Sequence, residues 1–254
     1  MIHSFLLIGQ SNAAGRGFIE EAAPLDNLGG RLKILRNGLW AKMFRPINPD
    51  RAFAGVSFAE SFATAYATAH EGVDVGIIPC ADGGTAISQW MPGEILFDNA
   101  VHCAKMAMRK SDLRGILWHQ GESDSYQEKY PLYKEKFTTM MNALKEALGC
   151  PDLPVVVGGL GDYLSECETF PEIALQYPHV NEVLRDLGKT YPNCAFAPAE
   201  GLGSNPDKLH FSAAAQIEFG LRYYKAYETL APKTEAPHQE PPSPSTERSA
   251  IELL

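Results

Sequence analysis

Ser11 lies just beyond a short apolar run at residues 4–8, and His210 follows Asp207 by three residues near the other end of the chain. A serine hydroxyl is a poor nucleophile until a base takes its proton, and an imidazole titrating near neutrality suits that task. Asp207 is close enough in sequence to reach the second ring nitrogen of His210, where a carboxylate fixes the tautomer and stabilises the imidazolium. The oxyanion formed on attack at a carbonyl needs preorganised donors, each worth about 3–4 kcal/mol when removed singly. The Ser11 amide, a Gly83 or Gly84 amide and the Gln120 side chain are the candidates. Glycine suits a loop whose backbone must approach a substrate closely.

Apolar runs at residues 4–8, 73–79, 115–119, 154–157 and 194–197 read as strands separated by longer helical segments, the signature of βαβ units around a parallel sheet. Phe58, Phe62, Ala65, Tyr66 and Ala69 form one core-facing stripe, and Phe137, Met140, Met141, Leu144 and Leu148 a second. Ser57-Phe-Ala-Glu60 and Ser125-Tyr-Gln-Glu128 both match the capping box, so helices are expected to begin there. A last helix is expected over 211–230, with Ile217, Leu221 and Tyr224 on one face. The segment between Gly15 and Ser57 reads poorly apart from a hairpin signal at Asn37-Gly38. In open α/β sheets ligands bind at the carboxyl ends of the strands, and the polar blocks 9–12, 81–85 and 119–124 fall there, with 207–210 before the last helix.

A chain of 254 residues, 45% hydrophobic and 21% charged, is long enough to bury one sizeable α/β core. With 22 basic against 31 acidic residues the net charge is −9, which disfavours nucleic acid and anionic membrane as partners. The five cysteines are widely spaced without a C-x-x-C pair, so they read as free thiols, and neither a metal site nor a cofactor is expected. The N-terminus runs straight into the first strand without a signal-peptide pattern, which gives a cytoplasmic expectation unless a leader precedes it. Residues 232–254 are broken by prolines among Ser, Thr and Glu and are expected to form a disordered tail behind a 1–231 domain. Oligomeric state is left open.

Four blocks, Gly9-Gln10-Ser11-Asn12, Gly83-Gly84-Thr85, His119-Gln120-Gly121-Glu122 and Asp207-Lys208-Leu209-His210, occur in the order found in the SGNH hydrolases. The chain resembles the branch holding acetyl xylan esterases of carbohydrate esterase family six and sialate O-acetylesterases. The resemblance implies a three-layer α/β/α flavodoxin-like fold with a central five-stranded parallel sheet. It also implies a metal-independent esterase that removes O-acetyl groups from a saccharide, such as acetylated xylo-oligosaccharide or sialic acid. In some members of this branch the glutamate of the third block is the acid partner of the histidine, so Glu122 competes with Asp207 for that role. The short D-x-x-H connection favours Asp207, with Glu122 then orienting Gln120 or Arg16. Gln10, Asn12, Arg16 and Trp90 are the expected substrate contacts.

Competing motifs fail on spacing. Five residues separate Gly9 from Gly15 with no Lys-Ser/Thr following, which excludes a P-loop, and the first βα turn lacks G-x-G-x-x-G. Position 13 is Ala, so Ser11 is outside a G-x-S-x-G elbow. His119 follows an apolar strand and reads as a structural histidine. The remaining alternatives are a non-catalytic carbohydrate-binding module on the same fold and an esterase for non-sugar acyl chains.

Overall fold

The structure, a computed structural model, describes residues 1–230. The expected tail therefore lies outside the described residues. The chain runs β1 (Ile2–Gly9), α1 (Ser11–Ala14), β2 (Leu32–Arg36), β3 (Leu39–Lys42), α2 (Phe58–Ala69), β4 (Asp74–Pro79) and α3 (Ile95–Met108). It continues through β5 (Asp112–His119), α4 (Tyr133–Ala147), β6 (Val155–Gly158), α5 (Pro171–Thr190), β7 (Cys194–Ala197) and α6 (Ala213–Glu228). All five expected strands are present, in the spatial order β4-β1-β5-β6-β7, which is the flavodoxin-like arrangement.

The sheet nevertheless has seven strands rather than five, in the order β3-β2-β4-β1-β5-β6-β7. The extra pair is the Asn37-Gly38 hairpin, whose two turn residues have φ of 50° and 77°, the left-handed geometry of a two-residue turn that matches strand twist. Its first strand buries Leu32, Ile34 and Leu35 and pairs parallel with β4, so the hairpin extends the main sheet; β3 alone is antiparallel.

Of the two capping boxes only the first caps a helix. Ser57 Oγ accepts the Ala59 amide at 3.3 Å, and Glu60 Oε1 accepts the Ser57 amide at 3.4 Å. At the second, the Ser125 hydroxyl donates to the Gly121 carbonyl at 2.9 Å, and α4 starts only at Tyr133, after a 3-10 turn at Tyr130–Leu132. The apolar stripe from Phe137 to Leu148 is buried as expected.

α6 begins at Ser212, whose hydroxyl accepts the Ala215 amide, but its buried face is not the expected one. Ala215, Gln216, Phe219, Gly220 and Tyr223 face inward while Leu221 is exposed. The reason is close approach of α2: a Cβ at Gly220 would lie 2.0 Å from the Phe58 carbonyl oxygen. Gln216 fills the seam, accepting the Phe58 amide at 2.8 Å and donating to the Asn12 carbonyl at 3.1 Å. Phe58 stacks on Tyr223 with centroids 4.1 Å apart, and the Tyr223 hydroxyl donates to the Trp118 carbonyl at 2.7 Å. Aromatic side chains of this size contribute roughly 1.5–3 kcal/mol each on burial. They fix the carboxyl ends of β1 and β5, where the polar blocks emerge. No helix among the described residues is long and apolar enough to cross a membrane.

Candidate active site

β1 ends at Gly9, where φ is +130° and a Cβ would stand 2.0 Å from the His119 carbonyl oxygen. Only glycine allows that approach, which lets the Gln10 amide donate to His119 at 2.9 Å before the chain turns into α1. Ser11 is the first residue of that single turn, and its Oγ lies 3.0 Å from His210 Nε2. His210 Nδ1 lies 2.7 Å from Asp207 Oδ2, so the imidazole bridges hydroxyl and carboxylate.

The 207–210 segment is a local side-chain turn. Asp207 Oδ1 accepts the amides of Leu209 and His210 at 2.9 and 3.0 Å, and Lys208 takes a φ of 52° to allow it. Burial alone would raise the Asp207 pKa, but the His210 ring and the two amides outweigh it and bring it down to about 2. The loop is closed by the Asn205 amide donating to the His210 carbonyl at 2.8 Å, and Asn205 Nδ2 ties it to the Arg16 carbonyl at 2.9 Å.

Glu122 is brought near but not to the histidine. Its Oε1 accepts from Asn12 Nδ2 at 2.5 Å and lies 3.4 Å from His119 Nε2. Burial pushes its carboxyl up, yet His119 and Asn12 together leave it below the ordinary value. Glu122 thus orients neither Gln120 nor Arg16, as the sequence had suggested; Asp124 and Asp50 do so. Asp124 Oδ2 accepts from Gln120 Nε2 at 2.6 Å, and Asp50 receives both Arg16 terminal nitrogens at 3.0 and 2.6 Å. His119 is fully buried among Phe58, Phe211 and Phe219, a structural residue.

The expected oxyanion donors separate into two groups. The Gly83 amide is turned to Asp50 Oδ2 at 2.8 Å, and Gln120 Nε2 also faces Gln10 Oε1 and the Thr85 carbonyl, both at 3.1 Å, so both are spent inside the protein. The Ser11 and Gly84 amides meet no acceptor among the described residues. Gly84 has φ +78°, which glycine adopts freely.

Gln10, Asn12, Arg16 and Trp90, expected to touch substrate, are each at most 5% exposed. Gln10 Oε1 also receives the Gly121 and Ser123 amides, and Trp90 Nε1 donates to Thr85 Oγ1 at 3.0 Å. Asn12 holds the backbone on both sides of His210, donating to the Leu209 carbonyl at 3.2 Å and accepting the Phe211 amide at 3.1 Å. These residues brace the site from behind. Sequence reasoning missed Asp50, Arg51 and Asp124; the charged pair after Asn48-Pro49 was the one signal for the first two. Beside Asp207 a cleft of about 850 Å³ opens, lined by Ser165, Glu166, Thr169, Leu175, Pro206 and Lys208.

Residues 1–229 match the family model described as carbohydrate esterase, sialic acid-specific acetylesterase. The chain belongs to this family. It is a carboxylic ester hydrolase of the carbohydrate acetylesterase kind, which removes the reading as a non-catalytic module. The esterase is 27% identical over 249 residues to the probable carbohydrate esterase At4g34215 of Arabidopsis thaliana, covering 88% of this chain and 89% of that one. The X-ray structure of At4g34215 superposes with a TM-score of 0.76 at 26% identity, covering 90% of this chain and 99% of the other. The fold is shared with NanS, at TM-score 0.67 and 19% identity over 89% and 96% of the two chains. It is shared also with XAC1771, a carbohydrate acetylesterase from Xanthomonas citri, at 0.66 and 19%, over 90% of this chain and 56% of that one.

Proposed function

We propose that the esterase cleaves O-acetyl esters of a saccharide through an acetyl-enzyme on Ser11, with His210 as base and Asp207 as its acid partner. The observation that carries this is the continuous Ser11–His210–Asp207 chain, at 3.0 and 2.7 Å, at the carboxyl edge of the sheet. Ser11 Oγ attacks the acetyl carbonyl carbon while its proton passes to His210 Nε2, and the Ser11 and Gly84 amides receive the negative oxygen. Collapse breaks the ester bond, and the departing sugar oxygen takes the proton from His210. A water then gives its proton to His210, attacks the acetyl-enzyme, and acetate leaves as Ser11 regains its hydrogen.

The family description supports an O-acetylated sialic acid as substrate. No residue of the site selects one sugar over another, so acetylated xylo-oligosaccharide is tested alongside. Acetate release from both is measured for the wild type and Ser11→Ala. The variant should fold normally and lose at least about a thousandfold in rate. Residual activity within about tenfold of wild type would remove Ser11 from the mechanism.

A further inference from the structure

Two consecutive residues outside the four sequence blocks grip the loop that carries the Gly84 amide. Asp50 Oδ2 accepts the Gly83 amide at 2.8 Å. Arg51 Nη2 donates to the Gly83 carbonyl at 3.1 Å, and Arg51 Nη1 to Asp82 Oδ1 at 2.8 Å. A peptide unit is planar and trans, so its C=O and N–H point in opposite directions. The Gly83 carbonyl and the Gly84 N–H belong to one such unit, and holding the carbonyl from one side aims the amide hydrogen to the other. A guanidinium on that carbonyl also polarises the unit, making its N–H the stronger donor.

Asp50 has a second attachment. The same carboxylate receives Arg16 through both terminal nitrogens, a pair only 4% exposed on each side, and Arg16 Nη1 also donates to the Gly15 carbonyl at 2.8 Å. Arg16 follows the turn that bears Ser11. The carboxylate therefore joins the backbone that carries the nucleophile to the backbone of the glycine loop. An ideal Cβ placed on Gly83 would lie 2.5 Å from Arg16 Nη2 and 3.5 Å from Ser11 Cβ, so the three segments meet at one point.

From this geometry we propose that Asp50 and Arg51 are positioning residues that set the Gly84 amide as an oxyanion donor. Asp50 fixes the loop against the nucleophile turn and diverts the Gly83 amide away from the substrate; Arg51 fixes and polarises the next peptide. Neither touches the reacting atoms, and the role rests on the Ser11 esterase reading.

The test compares p-nitrophenyl acetate with p-nitrophenyl thionoacetate, in which sulfur replaces the carbonyl oxygen and fits an oxyanion site poorly. Arg51, with its side chain 42% exposed, can be changed without opening the core. Arg51→Gln should lower kcat for the oxygen ester about tenfold to a hundredfold, less than the loss of a whole donor, with KM within about twofold. The oxygen-to-sulfur rate ratio should fall with it, and Arg51→Lys should restore part of both. Asp50→Asn should act in the same direction and lower the melting temperature as well, because Arg16 is left buried beside a neutral partner. An Arg51→Gln enzyme with wild-type kcat and rate ratio would overturn the role, as would a kcat loss with the ratio unchanged. A wild-type chain without Ser11-dependent hydrolysis would sink the esterase reading itself, and the positioning role with it.

Discussion

Glu122 accepts a 2.5 Å hydrogen bond from the Asn12 side chain, while no hydrogen bond or ion pair among the described residues joins it to His210. Asn12 in turn clamps the Leu209 carbonyl and the Phe211 amide, so Glu122 reaches the histidine only through the backbone on either side of it.

The two contested carboxylates should therefore respond differently. Asp207→Asn keeps the shape but favours the wrong imidazole tautomer, and kcat at neutral pH should fall about 10⁴-fold. Glu122→Gln should cost about 10² or less, and combining it with Asn12→Ala should add little, because both changes act through one hydrogen bond. Steady-state rates of the single and double variants decide the matter. A Glu122→Gln loss larger than that of Asp207→Asn would reverse the assignment.

The depressed pKa of Asp207 has a definite sign in stability. Its folded value of about 2 lies below the roughly 3.9 of an unfolded aspartate, so its ionised form stabilises the fold above about pH 4. That contribution is lost as the pH falls through the folded value. The melting-temperature gap between wild type and Asp207→Asn should narrow as the pH falls from about 4 to about 2. A gap still undiminished near pH 2 would count against it.

Gln120 separates a brace from an oxyanion donor. Gln120→Met leaves the buried Thr85 carbonyl without its donor, at about 1–3 kcal/mol, and takes one donor each from Gln10 and Asp124, which keep backbone amides as partners. Thermal melts should show a loss of several degrees, while the oxygen-to-sulfur rate ratio stays at the wild-type value. An unchanged melting temperature with a collapsed ratio would return Gln120 to the oxyanion site.

Gly220→Ala would drive a methyl group into the Phe58 carbonyl and the Ser61 hydroxyl, each 2.0 Å from the ideal Cβ. Overpacking of this kind costs about 1–3 kcal/mol, and for a chain of this size each kilocalorie lowers Tm by roughly 2–4 °C. A melting curve within about one degree of wild type would show that the two helices separate easily.

The elements built from Val, Ile and Leu runs were legible in the sequence because a strand buried on both faces must be apolar throughout. The Asp207–His210 pair was legible because its chemistry is confined to four consecutive residues. Gln10, Asn12, Arg16 and Trp90, expected at the substrate, lie buried, and their partners were hidden for a shared reason: sequence reports what a side chain can bond, not which way it points. Their partners lie far along the chain, such as Gln120 for Gln10 and Asp50 for Arg16. The buried face of α6 was missed because the contact with α2 selects small and polar residues, Ala215, Gln216 and Gly220, over the bulkier Leu221. Ser125 matched a capping box by type and spacing, yet its hydroxyl donates to the Gly121 carbonyl and α4 starts only at Tyr133.

Ser11 and His210, whose side chains meet at 3.0 Å, are 199 positions apart in the chain. Synthesis proceeds from the N-terminus, so the serine leaves the ribosome long before the histidine it meets exists. On the proposed mechanism the growing polypeptide gains its esterase only once the last βα unit has emerged and docked. On the proposed mechanism a premature stop codon anywhere before position 210 removes the base, and the appearance of ester hydrolysis is a clock for completion of the fold.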